Sequence, residues 1–118
     1  MKFKDYAYVR PDFDQVKAQY ENLLDAFNKT SAAQSQLETF KAINKLRMNV
    51  STMGTLSGIR HSIDTTDAFY EAENDYWDNA MPLYAELDTL FYKAVLASPF
   101  IKELREEIPK PFFQMAEN

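Results

Sequence analysis

Apolar residues recur along most of this chain at intervals of three and four, the spacing that gathers them on one face of a helix. Phe13, Val16, Tyr20, Leu23, Leu24 and Phe27 make the first such face, and Asp12 with Gln15 in front of them has the form of a capping box. The residues before Pro11 mix aromatic and charged side chains without a helical period. Asn28, Lys29, Thr30 and Ser31 end the first element, and Ser31 with Gln34 offers a fresh cap. Leu37, Phe40, Ile43, Leu46, Val50 and Met53 then resume the period, and no proline intervenes before Pro82. The second helix is therefore expected to run to about Ile63, roughly 50 Å at ~1.5 Å per residue.

Asp64, Thr65, Thr66 and Asp67 favour caps, because short polar side chains bond nearby amides and acids suit a helix's positive end. They predict a tight helical hairpin. The third helix carries Phe69, Ala72, Tyr76, Ala80, Leu83, Leu87, Phe91 and Ala94 on one line, with Pro82 expected to kink or break it. Ser98 and Pro99 restart the chain, and Phe100, Leu104 and Ile108 predict a short fourth helix that stops at Pro109 and Pro111. The closing PFFQMAEN opens one more apolar phrase, expected to lead into a further packed helix of a longer polypeptide. The predicted fold is all-α: an antiparallel helical hairpin or bundle of about four helices, with residues 1–118 one domain and the amino-terminal lobe of a larger helical protein.

Composition narrows the function classes. The chain has 118 residues, enough for a core, with 46% hydrophobic residues and only 2 glycines. Its 13 basic and 18 acidic residues give a net charge of -5, and the bases are not clustered, which disfavours a nucleic-acid partner. The charges at Asp5 and Arg10 interrupt the start before an apolar segment develops, so no signal peptide is read there. The most apolar stretch, residues 90–101, is broken by Lys93 and Pro99 and falls short of the ~20 residues that span a bilayer. No membrane association is expected. Lack of cysteine excludes disulfides and thiolate metal sites and is compatible with a cytoplasmic location.

Little catalytic chemistry is present. A single histidine, His61, with Gly58 three residues before it, cannot supply a di-iron bundle motif or a zinc site. There is no cysteine nucleophile, no serine and acid arranged around His61, and no glycine-rich phosphate loop. No catalytic, cofactor-binding or metal-ligating residue is assigned.

One carboxylate does stand out. Glu73 falls within the apolar line of the third helix, and a buried carboxylate needs a partner. On the second helix Arg47 and His61 flank a strip of small residues, Ser51, Gly54 and Gly58, that would let the third helix come close. Counting outward from the turn puts His61 about one helical turn from the level of Glu73 and Arg47 further off, so His61 is the expected partner. Two roles are open for Arg47, His61 and Glu73: a polar network holding the hairpin in register, or contact with substrate in a channel. Between His61 and Tyr92 there is no lysine or arginine but eight acids, Asp64, Asp67, Glu71, Glu73, Asp75, Asp78, Glu86 and Asp88. They read as a solvated face or as a docking surface for a basic partner. Tyr70 and Trp77 sit at the edge of a wide aromatic arc and are candidates to line a cleft or an interface.

Residues 44–58, NKLRMNVSTMGTLSG, followed by IRHSIDTTDAFYEAENDYWD at 59–78, resemble the amino-terminal region of the oligoendopeptidase F family of zinc metallopeptidases, of the thimet-oligopeptidase-like clan. The similarity runs through essentially all of the chain. What the resemblance implies is a parent enzyme that cleaves short peptides with zinc held by a His-Glu-x-x-His helix in a carboxyl-terminal domain, a motif this sequence does not contain. The helical lobe would then shape access to the active-site channel and be inactive alone. With its catalytic partner missing, it is expected to form a homo-oligomer through exposed apolar surface. A free-standing helical interaction module is the alternative.

Overall fold

The side chain of Asp12 accepts hydrogen bonds from the amides of Asp14 and Gln15 and opens the first helix, α1, Phe13–Lys29. The computed structural model describes residues 8–63 and 65–117; the readings made above for residues 1–7, Asp64 and Asn118 lie outside these. Helix α2, Ala33–Ile63, starts two residues after Ser31 and ends where the period predicts. Asp67 caps α3, Ala68–Leu96, by accepting from the amide of Phe69 at 2.9 Å. Two short helices follow, α4, Ile101–Glu107, and α5, Lys110–Ala116.

The described residues thus form five helices rather than about four, with no strand among them. The extra one is α5. Pro109 and Pro111 sit at its start, where a missing amide hydrogen costs nothing, so the two prolines initiate a helix as readily as they end one.

The long helices run up, down and up. Gly54 faces Trp77, Arg47 faces Asp88 and Phe40 faces Phe91, so numbers rise on α3 as they fall on α2. Helix α1 packs on both, with Phe13 against Tyr84 and Tyr20 against Phe91. The body measures 51 × 28 × 26 Å, its long axis set by α2 and α3. Helix α4 rests on α2 and α5 on α3.

Phe91 is the hub of the core. It is fully buried, and its ring meets those of Tyr20, Phe27, Phe40 and Phe112 at 5.3–6.4 Å between centroids. The buried line of α3 is Glu73, Trp77, Ala80, Tyr84, Leu87, Phe91 and Val95. This corrects the expected line: Phe69 and Leu83 are 56% and 42% exposed. The cause is sequence degeneracy. Tyr76 and Trp77, Leu83 and Tyr84, and Ala94 and Val95 are adjacent apolar pairs, and neighbours 100° apart give the same period about two different centres.

Pro82 does not break α3. The amide it lacks would have bonded the carbonyl of Asp78, and both residues are exposed, so water can serve that carbonyl. At the other end of the bundle, Gln36 donates to the carbonyl of Phe27 at 3.0 Å and accepts from the hydroxyl of Ser98, tying the ends of α1 and α3 to the start of α2.

Candidate functional site

Two polar clusters carry the buried charge of this fold, one near the turn of the α2–α3 hairpin and one about midway along it. The first surrounds Glu73, which is 4% exposed. Its partner is Arg10 and not His61: Arg10 Nε donates to Oε1 at 2.9 Å and its Nη2 to Oε2, the two-pronged grip that a planar guanidinium makes on a carboxylate. Tyr8 adds a third donor to Oε1 at 2.6 Å, and Trp77 Nε1 donates to the Tyr8 oxygen at 3.0 Å. The Arg10 guanidinium lies 4.5 Å over the ring of Tyr76, whose hydroxyl donates to the carbonyl of Pro11. Residues 8–12 are thereby strapped across α3.

The expected pairing fails because residues just before α1 outcompete α2 for the carboxylate. His61 Nδ1 is buried with no hydrogen-bond partner among the described residues. The hydrogen bonds from Arg10 hold the Glu73 carboxyl below its ordinary value of 4.5 against the opposing effect of burial. Burial, with the negative Glu73 beside it, pushes the Tyr8 phenol up to about 12.

Trp77 is a core residue, not an edge one. A Cβ on Gly54 would come within 3.3 Å of the indole, so the glycine of α2 makes the room in which Trp77 lies. Tyr70 is half-buried; its hydroxyl accepts from Arg60 Nη1 at 2.7 Å and its ring meets those of Tyr8 and Phe69.

The second cluster gathers on Asp88. Arg47 Nε donates to its Oδ1 at 2.9 Å, and the Tyr20 hydroxyl donates to the same oxygen at 2.7 Å. Arg47 Nη2 reaches the hydroxyl of Tyr92, and the guanidinium lies 5.3 Å over Phe91 and 4.9 Å over Tyr92. Arg47 and Glu73 therefore belong to separate clusters. Burial and the hydrogen bond to Asp88 raise the phenol of Tyr20 above its ordinary value. Of the expected acidic face, Glu73 and Asp88 are committed to ion pairs, while Glu71, Asp75, Asp78 and Glu86 stay exposed.

Arg47 and Asp88 line a groove of about 330 Å³ between α2 and α3, which Val16 and Tyr20 of α1 reach from behind and Phe112 and Met115 of α5 border at one side. Met48 and Met81 stand on its two long edges. Neither the strap nor the groove was found from sequence. Arg10 lies 63 positions from its partner, and the methionines interrupt the period instead of continuing it.

Among the described residues no group of three histidine, cysteine, aspartate or glutamate side chains could hold a metal ion. None of their helices is long and apolar enough to cross a membrane. The charged groups of both clusters are spent on bracing helices against one another.

Comparison with known proteins identifies this scaffold. The family model described as Peptidase M3 N-terminal domain matches residues 3–118, and the chain belongs to that family. Comparison with curated proteins gives no match. Three solved structures are similar throughout. A provisionally assigned oligoendopeptidase F is 42% identical with a TM-score of 0.93, over 99% of this chain and 21% of its own. PZ peptidase A, solved with an inhibitor, is 40% identical with a TM-score of 0.93, over 98% and 21%. A second provisionally assigned oligoendopeptidase F, from Bacillus anthracis str. Ames, is 39% identical with a TM-score of 0.94, over 99% and 22%. The chain is the N-terminal domain type of an oligoendopeptidase F-like M3 peptidase, and it spans about a fifth of the length of these relatives.

Proposed function

We propose that residues 1–118 act as one non-catalytic domain of a zinc-dependent peptidase of short peptides, packing against a catalytic domain and narrowing the approach to its active site. The observation that carries this is the likeness of the whole chain, at 39–42% identity, to about a fifth of each of three longer proteins named as peptidases. The charge clusters fit a bracing role: the hydrogen-bonding groups of Glu73 and Arg47 are taken up within the domain, leaving His61, together with the half-buried ring of Tyr70, at the turn end as the candidates to line a channel. Zinc and its ligands belong to the catalytic domain, and the parent enzyme works in the cytoplasm. Separated from that domain, the chain self-associates through exposed apolar side chains such as Phe69, Leu83 and Leu90, which light scattering at high concentration reads directly. No observation favours a free-standing interaction module over this reading.

The test is replacement. Exchanging this chain for the matching region of the 42%-identical oligoendopeptidase F should give an enzyme that cleaves short fluorogenic peptides and is silenced by a chelator. The isolated chain should cleave nothing. A well-folded exchange product without peptidase activity overturns the reading.

A further inference from the structure

We infer that the groove between α2 and α3 seats an apolar helix of the catalytic domain, so that Met48, Met81 and Met115 form the contact by which this domain is held. The inference rests on the reading above and adds the place of docking. The three long helices explain the opening. Helix α1 covers one side of the α2–α3 hairpin; on the other side α5 covers only part, and the remainder is the groove. A fourth helix laid there would complete a bundle, the usual way in which two helices bury a second apolar face.

The chemistry of the walls selects the occupant. Met48, Met81 and Met115 are each more than half exposed, a costly disposition for three large apolar side chains around one concavity. Methionine is flexible and polarisable and adapts to an irregular apolar surface. The charges on the floor, Arg47 and Asp88, are already paired with each other, so the occupant has no charge to supply. A second copy of this chain fits poorly. A two-fold pairing over the groove would set concavity against concavity, since the exposed Phe69, Leu83 and Leu90 belong to other faces of α3. The parent polypeptide does have a source: in the solved relatives about four-fifths of the chain lies outside the matched region, and the family model assigns that region to the amino-terminal side.

Methionine oxidation by dilute peroxide, followed residue by residue by mass spectrometry, reads the groove directly. In the isolated chain at low concentration Met48, Met81 and Met115 should oxidise readily. In the exchanged full-length enzyme the same three should oxidise about tenfold or more slowly, because susceptibility follows exposure. Met53, partly buried in the core, serves as internal reference. An active enzyme in which the three oxidise as in the isolated chain overturns the docking site while leaving the proposed function intact; an inactive, well-folded one overturns that function instead. Protection that appears in the isolated chain with rising concentration assigns the groove to a second copy, and protection only on adding a short peptide assigns it to substrate; either overturns the proposal. Should the exchanged enzyme not fold, the same rates measured with and without the separately expressed remainder of that relative give the same decision.

Discussion

Arg10 closes on Glu73 across 63 positions of sequence, and the carboxylate it holds is the most buried charge on α3. The pairing decides how residues 8–12 lie, because a carboxylate sealed between helices is tolerable only with donors around it. Arg10→Ala removes two of the three side-chain donors and leaves Tyr8 alone. Breaking a buried pair costs about 3–5 kcal/mol, and the half-exposed arginine reduces this to about 2 kcal/mol. Chemical denaturation at pH 7 measures it, and a loss below about 0.5 kcal/mol would show that water replaces the guanidinium.

The same pair sets an acid limb. Glu73 has a folded-state value below its ordinary 4.5, so its contribution is fully present above that pH and fades as pH falls through the lower folded value. Glu73→Gln should be less stable than the parent at pH 7, with the gap narrowing steadily below about pH 4. Parallel stability curves down to pH 2 would exclude the linkage.

Tyr8 sets an alkaline limb. Its phenol rises from 10.0 to about 12 on folding, so its contribution is complete below pH 10 and is lost as pH climbs through 12. Tyr8→Phe should flatten the fall in melting temperature between pH 10 and 12 and weaken the hold on Trp77, which loses its acceptor. Indole fluorescence followed through the same range reports both effects; a variant as alkali-sensitive as the parent places the titration elsewhere.

How much of this was legible in the sequence depends on distance along the chain. Helix ends at Asp12, Ile63 and Asp67 were readable because caps and turns are local chemistry. So was the unusual environment of Glu73, an acid among apolar neighbours at helical spacing. Its partner was not, because a helical wheel ranks residues on facing helices and Arg10 precedes the first helix. The centre of the buried face on α3 was obscured by adjacent apolar pairs, and only packing against Phe13, Gly54 and Phe40 chooses Tyr84, Trp77 and Phe91. The strip of small residues on α2 did point to a close approach, realised at Gly54.

The two glycines of α2 should respond oppositely. Nothing lies within 4 Å of a Cβ at Gly58, so Gly58→Ala gains helix propensity and should stabilise by about 0.5–1 kcal/mol. At Gly54 the new methyl would sit 3.3 Å from the indole of Trp77, whose Nε1 is fixed by Tyr8. Gly54→Val, which adds still more bulk, should destabilise by about 1–3 kcal/mol. Melting curves that shift upward for both would mean that α2 and α3 separate more easily than the contact suggests.

Phe91 offers the sharpest check on the register of α3. It touches aromatic rings from α1, α2 and α5 at once, so truncation opens a cavity that no single neighbour can fill. Phe91→Ala should cost about 3–5 kcal/mol, while Leu83→Ala, equally apolar and on the face that the sequence pattern favoured, should stay within about 0.5 kcal/mol. The contrast is what matters, because losses of similar size at both positions would restore the line through Leu83 and rotate α3 by most of a third of a turn. Adding Tyr84→Ala completes the comparison: it should resemble Phe91→Ala, since its ring packs between Phe13 and Trp77.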